Sequence, residues 1–228
     1  MEVIILAGGF GTRLQSLIKD TPKPMARIGN TPFLEILMSH LKDQGVSKFI
    51  ISIGYLGGQI KEYFGTNYKG TKIVYVSESE PLGTGGAMKL ALSQVESEFA
   101  LICNGDTYLE IDLLKLQNHW HKLNVPIIVG CNVDNTFRYG KIIEEDGIIT
   151  GFLEKSDKTN GLINAGCYLL KKNQLNDFPI SVNFSFENDY LPKAIQNNKF
   201  SVFKVNGKFI DIGIPDDFKR AEKMLLCI

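Results

Sequence analysis

The chain has 228 residues, of which 44% are hydrophobic, and this content supports one domain with a substantial core. Its 25 basic residues balance 25 acidic residues. The resulting zero net charge argues against a general nucleic-acid binder, which would usually carry a basic surface. Any phosphate ligand must therefore be held by a local group of cations.

The N-terminal segment MEVIILAGG has no basic region, and its apolar stretch is too short for a signal peptide. No segment reaches the roughly 18 consecutive apolar residues that a membrane span needs. We therefore expect a cytoplasmic protein without a membrane partner. No two cysteines form a C-x-x-C pair, which argues against a zinc site. Three cysteines lie in apolar runs that are typical of buried positions: Cys103, Cys131 and Cys167.

In the first half of the chain, short β-branched runs alternate with segments of helical periodicity. The predicted strands are 3–6, 48–53, 73–76 and 99–103, and the predicted helices are 33–41, 59–64, 85–95 and 113–123. This alternation predicts an α/β fold in which a Rossmann-like, mostly parallel sheet carries helices on both faces.

After Leu123 the pattern becomes richer in strands, and Asp146-Gly147 between two β runs predicts a hairpin. Strands are predicted at 126–133, 140–144, 148–154, 163–170, 201–205 and 209–212, with helices at 188–196 and from Pro215 onward. We expect one domain, with an amino-terminal half (1–107) and a carboxy-terminal half (108–228) that contains a small β-rich region and shares the same sheet.

A glycine-rich segment, LAGGFGTRL, follows the first strand and begins at Leu6. Its three glycines let backbone N–H groups approach an anion, and its arginine adds a planar cation suited to phosphate. The dinucleotide fingerprint does not match, because Leu14 occupies the position of the third small residue, and a Walker A sequence is absent. Phosphate binding is therefore favoured over a tight turn without a ligand.

Three further residues are candidates for phosphate or metal chemistry. Lys23 lies between two prolines that restrict the loop, so its ammonium could be held near a triphosphate. Asp106 follows a buried strand at the edge where open α/β sheets bind ligands. Asp211 lies among apolar neighbours, where a lone carboxylate needs a partner or a metal. Either aspartate alone could form a cap or an ion pair, but two carboxylates with phosphate and water suit Mg²⁺.

If the bound phosphates belong to a nucleotide, its base also needs contacts. Guanine, for example, presents two adjacent donors, N1–H and the N2 amine, from which one carboxylate can accept. Glu80 is the first candidate for this contact, Glu78 is the second, and Gly83 would let the backbone approach the base. Both glutamates could equally be exposed loop acids. Uracil and thymine remain alternatives, because their N3–H is also a donor.

The glycine-rich segment and the PKPM sequence that follows at 22–25 resemble the signature of sugar-1-phosphate nucleotidyltransferases. The similarity extends over nearly the whole chain. It includes EPLGTGGA at 80–87, NGD at 104–106, YG at 139–140, EK at 154–155, NAG at 164–166, FE at 186–187 and DIG at 211–213. Within this family, the resemblance is closest to D-glycero-D-manno-heptose 1-phosphate guanylyltransferases of bacterial surface-polysaccharide pathways.

The resemblance implies a glycosyltransferase-A-like fold and an Mg²⁺-dependent reaction of GTP with a sugar 1-phosphate that releases pyrophosphate. It assigns catalysis to Arg13, Lys23 and Lys155, and metal binding to Asp106 and Asp211. The implied nucleotide-binding residues are Leu6, Gly8, Gly9, Gly11, Thr12, Arg13, Lys23, Glu80, Gly83 and Asp106. The implied sugar-phosphate-binding residues are Gly140, Glu154, Lys155, Asn164 and Glu187.

Three alternatives stay open at this point. The acceptor could be mannose 1-phosphate, or the enzyme could be a uridylyl- or thymidylyltransferase for another hexose 1-phosphate. The chain could also be a catalytically silent nucleotide-binding subunit, although its intact charged motifs argue against that function. A nicotinamide dehydrogenase is disfavoured by the incomplete dinucleotide fingerprint.

Overall fold

A computed structural model describes residues 1–9, 11, 14, 18, 20–153, 159–180 and 182–226. The strands are β1 (Glu2–Leu6), β2 (Arg27–Ile28), β3 (Thr31–Pro32), β4 (Lys48–Ile53), β5 (Asn67–Tyr68), β6 (Thr71–Ser77), β7 (Phe99–Asn104), β8 (Thr107–Leu109), β9 (Ile127–Val133), β10 (Lys141–Glu145), β11 (Ile148–Leu153), β12 (Gly161–Lys171), β13 (Ser201–Val205) and β14 (Phe209–Asp211). The helices are α1 (Phe33–Lys42), α2 (Gly57–Phe64), α3 (Gly83–Leu92), α4 (Leu113–Leu123), α5 (Leu191–Asn197) and α6 (Pro215–Leu225).

Ten strands form one sheet in the order β10-β11-β13-β9-β12-β7-β1-β4-β6-β5. The block β7-β1-β4-β6 is parallel, as predicted for the first half of the chain. Strands β1, β4 and β7 are mostly apolar because both of their faces are covered; every residue of β4, for example, is buried. Since parallel strands end at the same edge of a sheet, their carboxyl ends form a common rim.

The second half extends the same sheet with mixed pairing. Strand β12 runs antiparallel to both β7 and β9, while β13 runs parallel to β9. Strands β10 and β11 form the predicted hairpin, and Asp146 (φ 50°) and Gly147 (φ 78°) adopt the positive φ values of its two-residue turn. Strands from residues 1–107 and from residues 108–228 therefore share one continuous sheet.

Helices cover both faces of the sheet. Buried side chains of α1, α2 and α4 form one apolar core, and those of α3 and α5 belong to the core on the other face. Helix α6 packs in a third cluster with the short β8–β14 ribbon. Cys103, Cys131 and Cys167 are buried thiols, as predicted. Among the helices of the described residues, none is long and apolar enough to cross a membrane.

The predicted helix 188–196 differs from the observed element. The structure has a π turn at Phe186–Tyr190, and α5 continues from Leu191. Pro192 explains the change, because it has no N–H with which to continue the regular helical hydrogen-bond ladder. Such π turns are frequent at functional sites, and this one contains Glu187, which was predicted to bind the sugar phosphate.

At the amino ends of the parallel strands lies a buried ion pair. Lys48 Nζ is 2.6 Å from Glu2 Oε1 and 2.8 Å from Glu96 Oε1. Glu2 Oε2 also accepts from the backbone N–H groups of Glu96 and Ser97. Burial alone would raise the pKa of Glu2, but hydrogen bonds from Lys48 and Ser97 outweigh it and hold this pKa below its ordinary value.

We expect Lys48→Met to lower the free energy of unfolding at pH 7 by about 3 kcal/mol, because Glu2 would remain buried and unpaired. The pKa of Glu2 is depressed in the folded protein, so its stabilising contribution is present at neutral pH. This contribution is lost as the pH falls below about 4.5, the ordinary value. Urea unfolding at pH 7 and pH 4 should show the difference between wild type and variant shrinking in acid. The exposed Lys115, paired with Asp112, provides the control Lys115→Met. Equal losses for the two variants at pH 7 would contradict the prediction.

Candidate active site

An open cleft of about 230 Å³ lies at the carboxyl ends of β1 and β7. This is the edge where ligands bind in open α/β sheets. The cleft brings together residues that are far apart in sequence, and five of them were predicted to bind the nucleotide: Leu6, Gly9, Gly11, Lys23 and Asp106. The rest of its lining is Ala7, Pro24 and Gly213.

The floor beside this cleft is built from closely packed backbone. A Cβ at Gly54 would lie 2.6 Å from the carbonyl oxygen of Gly8, and a Cβ at Gly105 would lie 2.8 Å from that of Leu6. A Cβ at Gly8 would be 3.0 Å from Glu78 Oε1. Side chains are thus excluded where β1, β4 and β7 end. We call Gly8, Gly54 and Gly105 the glycine floor.

Lys23 is the central cation of the cleft. It lies between Pro22 and Pro24 and begins a short 3-10 turn, Lys23–Met25. Its Nζ is 2.5 Å from Asp106 Oδ2 and 3.8 Å from Asp211 Oδ1. One ammonium therefore contacts both of the carboxylates that were predicted to bind metal.

The β8–β14 ribbon brings these two carboxylates together. Asp211, at the end of β14, pairs in register with Thr107, and the Ile212 N–H donates to the Asp106 carbonyl (3.0 Å). The Gly213 N–H donates to Asp211 Oδ1 at 2.6 Å. Burial, followed by the charge of Asp106, raises the pKa of Asp211, although Lys23 and Gly213 oppose that shift.

The donor chemistry of this pair fits a hard divalent cation. The two carboxylates converge on the Lys23 ammonium, which occupies the place that a divalent cation would take between them. Within the described part of the chain, no group of three or more His, Cys, Asp or Glu residues could hold a metal. A shell of two carboxylates completed by phosphate and water oxygens suits Mg²⁺.

Arg138 is a charged residue beside this pair that the sequence analysis missed. Its Nη2 is 3.6 Å from Asp211 Oδ2, and it also forms an ion pair with Asp217. Asp217 is buried in the first turn of α6 and pairs with Arg220 as well (2.6 Å). No local sequence pattern connects Arg138 with Asp211, because their contact depends on how distant segments fold together.

The two glutamates that were predicted as contacts of the base, Glu78 and Glu80, have different environments. Glu78 Oε2 accepts from the Leu82 N–H (3.0 Å), and Glu78 Oε1 accepts from the Ser52 hydroxyl (3.4 Å). Both oxygens of this carboxylate are therefore already hydrogen-bonded within the protein. Glu80 is exposed. Gly83 has a φ of +68°, and a Cβ there would lie 2.5 Å from the carbonyl oxygen of Phe184. Glu80 stays the predicted base contact, and Gly83 is needed for the backbone conformation of this loop.

The described residues of the predicted acceptor site also lie close together. The Asn164 N–H donates to the Gly140 carbonyl at 3.4 Å, and Asn164 is connected to Glu187 through the hydroxyl of Tyr168. Four predicted site residues lie outside the described residues: Thr12, Arg13, Glu154 and Lys155. Their roles therefore stay predictions.

Comparison with known proteins identifies the family of this chain. Residues 2–226 match a family model described as nucleotidyl transferase. The chain belongs to the nucleotidyl transferase family. Divalent metal ions are typical of such nucleotidyl transferases, in agreement with the paired carboxylates.

Two curated relatives are similar to this nucleotidyl transferase over nearly their full lengths. D-glycero-alpha-D-manno-heptose 1-phosphate guanylyltransferase of Campylobacter jejuni is 44% identical over 96% of this chain and 97% of its own length. The protein of the same name from Aneurinibacillus thermoaerophilus is 42% identical, with coverages of 99% and 98%.

A solved structure of HddC from Yersinia pseudotuberculosis has a TM-score of 0.88 to this chain and 41% identity, with 98% of each chain covered. The same protein has been solved in complex with GMP-PN, and that structure has the same score and coverage. The predicted α/β fold and the predicted enzyme class are therefore confirmed.

Proposed function

We propose that this protein transfers a guanylyl group from GTP to D-glycero-α-D-manno-heptose 1-phosphate, giving GDP-heptose and pyrophosphate. The observation that carries this proposal is the 44% identity, over nearly full length, to a guanylyltransferase of that acceptor. The ion-paired cluster of Lys23, Asp106 and Asp211 supports nucleotidyl-transfer chemistry at this site. A cytoplasmic location and a role in bacterial surface-polysaccharide synthesis belong to the same proposal.

In this proposal, residues 1–107 supply the nucleotide site. Backbone N–H groups of Gly8, Gly9 and Gly11 would face the phosphates, and Thr12 and Arg13 would add side-chain donors. Glu80 would accept from N1–H and N2 of guanine, while Gly83 lets the backbone come close to the base. Its exposure leaves Glu80 accessible to a ligand.

Asp106 and Asp211 would hold Mg²⁺, the divalent ion proposed here. Bound there, Mg²⁺ would supply positive charge to phosphate oxygens at the reacting centre. Lys23 would then be released from the carboxylates to contact the triphosphate. Lys23 and Arg13 would neutralise the charge that accumulates on the departing pyrophosphate.

Residues 108–228 would supply the acceptor site. Lys155 would neutralise the sugar phosphate, and Glu154 would bind sugar hydroxyls. Gly140, Asn164 and Glu187 would contribute further contacts, and the short connections between them keep these three groups in one region.

The acceptor phosphate is already largely dianionic at neutral pH, so the reaction needs no general base and no covalent intermediate. A phosphate oxygen of the sugar attacks the α-phosphorus of GTP in line, and a new P–O bond forms. The bond between the α-phosphorus and the bridging oxygen breaks, and its electron pair leaves with pyrophosphate. The protein lowers the barrier by positioning two anionic substrates and by neutralising their charges.

The test is pyrophosphate release in the presence of Mg²⁺, with five nucleotides crossed against three acceptors. The nucleotides are GTP, UTP, CTP, ATP and dTTP, and the acceptors are the 1-phosphates of the heptose, mannose and glucose. We expect the highest kcat/KM with GTP and the heptose 1-phosphate. A preference for mannose 1-phosphate, or for UTP or dTTP, would replace the proposed substrates. Folded protein that is silent with every pair would support a nucleotide-binding subunit instead.

A further inference from the structure

Four side chains from three segments form a continuous chain of hydrogen bonds. The Thr84 hydroxyl donates to Glu187 Oε2 (2.6 Å), and the Tyr168 hydroxyl donates to Glu187 Oε1 (3.0 Å). The Asn164 side-chain amide donates to the Tyr168 hydroxyl (3.0 Å). We call Thr84, Glu187, Tyr168 and Asn164 the acceptor network.

Additional bonds fix the direction of each hydrogen bond in the acceptor network. The Gly166 N–H donates to Asn164 Oδ1 at 3.0 Å, so the amide nitrogen must point toward Tyr168. The Phe186 N–H donates to the Thr84 hydroxyl oxygen at 2.9 Å, so the hydroxyl proton is directed to Glu187. The Asn164 amide is thereby held in one orientation.

Tyr168 lies at the centre of the acceptor network. Its side chain is only 1% exposed, and its ring packs edge-on against Phe186 at 4.8 Å. Burial, and then the charge of Glu187, raises the pKa of Tyr168 well above its ordinary value. The hydroxyl therefore stays protonated at neutral pH and donates to the carboxylate. A buried hydroxyl that lost its partners would be costly, so the network is held together tightly.

The acceptor network connects the two substrate regions. Thr84 directly follows Gly83, which was predicted to lie beside the base. Two backbone hydrogen bonds join this segment to Phe184: the Gly85 N–H donates to the Phe184 carbonyl (2.9 Å), and the Phe184 N–H donates to the Leu82 carbonyl (3.1 Å). At the other end, Asn164 contacts the backbone of Gly140. Asn164 and Glu187 are both partly exposed, whereas Tyr168 behind them is buried.

We propose that Tyr168 is a positioning residue for the sugar 1-phosphate, because its hydroxyl holds the Asn164 amide and the Glu187 carboxylate in the orientations that bind sugar hydroxyls. This inference rests on the proposed function. Asn164 retains a second amide N–H and further acceptor capacity on Oδ1, and the Glu187 oxygens retain part of theirs. Tyr168 itself does not touch the substrate; it determines where these remaining groups point. Thr84 supports Glu187 from the nucleotide side.

The decisive variant is Tyr168→Phe, which removes one oxygen and retains the ring. We expect the KM for the acceptor to rise about 10- to 100-fold, because small misplacements of positioning groups carry penalties of that order. The KM for GTP should change by less than about twofold, since the variant leaves the phosphate-binding loop intact. Thr84→Val should raise the acceptor KM in the same direction, and the conservative Thr84→Ser should restore it.

Tyr190→Phe is the matched control. Tyr190 belongs to the same π turn as Glu187, stacks on Phe186 and bonds to Gln174 through its hydroxyl. Among the described residues, no side-chain hydrogen bond joins it to the acceptor network. Its variant should keep both KM values, whereas a general loss of core stability would affect the two tyrosine variants alike. Melting temperatures of both proteins complete this comparison.

The assays use the nucleotide and sugar 1-phosphate pair that the wild type prefers. An active wild type whose Tyr168→Phe variant keeps its acceptor KM, or loses affinity for GTP equally, would overturn this inference alone. A wild type that is silent with every pair would overturn both the proposed function and this inference.

Discussion

Asp106→Asn and Asp211→Asn should each lower kcat by about 100- to 1000-fold, the usual penalty for removing one charged contributor at a reacting centre. Asparagine preserves the shape of the side chain but removes the negative charge that holds a divalent cation. The two carboxylates lie against the same ammonium, so loss of either one dismantles the proposed metal site. The measurement is kcat at saturating GTP and acceptor over a range of Mg²⁺ concentrations.

The fold should survive Asp211→Asn. Burial and the charge of Asp106 raise the pKa of Asp211, which means that ionising this carboxyl costs more in the folded protein than in the unfolded chain. A neutral side chain removes that penalty, so the melting temperature should stay close to that of wild type. Asp216→Asn, at an exposed position in the first turn of α6, is the matched control and should retain activity. Near-normal turnover of either active-site variant at ordinary Mg²⁺ would refute the metal assignment.

Lys23→Met should lower kcat/KM for GTP by about 1000-fold, and the loss should appear in kcat as well as in KM. The side chain is 11% exposed, so its charge acts where water screens it weakly. Lys23→Arg keeps the charge but changes the donor geometry, so its kcat/KM for GTP should lie between those of wild type and Lys23→Met.

Thermal unfolding gives a second test of Lys23. In the free protein, the ammonium compensates the adjacent charges of Asp106 and Asp211, so Lys23→Met should lower the melting temperature. Added Mg²⁺ should restore part of this stability by replacing the missing cation. Lys219→Met, on the exposed face of α6, is the control. It should change neither the melting temperature nor its response to Mg²⁺. A variant that keeps wild-type kcat would remove Lys23 from the catalytic residues.

Local periodicity predicted most of the fold. The apolar run 48–53 and the amphipathic segment 113–123 have the same bounds in the structure, because each element's pattern is contained in its own residues. The start of α3 was predicted two residues late, at Gly85. Gly83 has a positive φ that no periodicity reveals, and it already begins the helix.

The site was only partly predictable, because its contacts join distant parts of the chain. Motifs identified Lys23, Asp106 and Asp211, but their convergence depends on the pairing of β8 with β14. Arg138 and Tyr168 carried no signal of their own. Arg138 is placed at the site by its contact with Asp211, and Tyr168 by its hydrogen bond to Glu187. Each of these pairs comes together only when the chain folds.

The glycine floor has a consequence for how substrate choice could change. The close backbone packing there depends only on the absence of side chains at Gly8, Gly54 and Gly105, so it cannot by itself distinguish one base or sugar from another. Discrimination has to arise from side chains around it, such as Glu80 and Asn164. A variant library that leaves these glycines untouched and randomises the surrounding loops should therefore redirect substrate preference while retaining the chemistry of phosphate transfer.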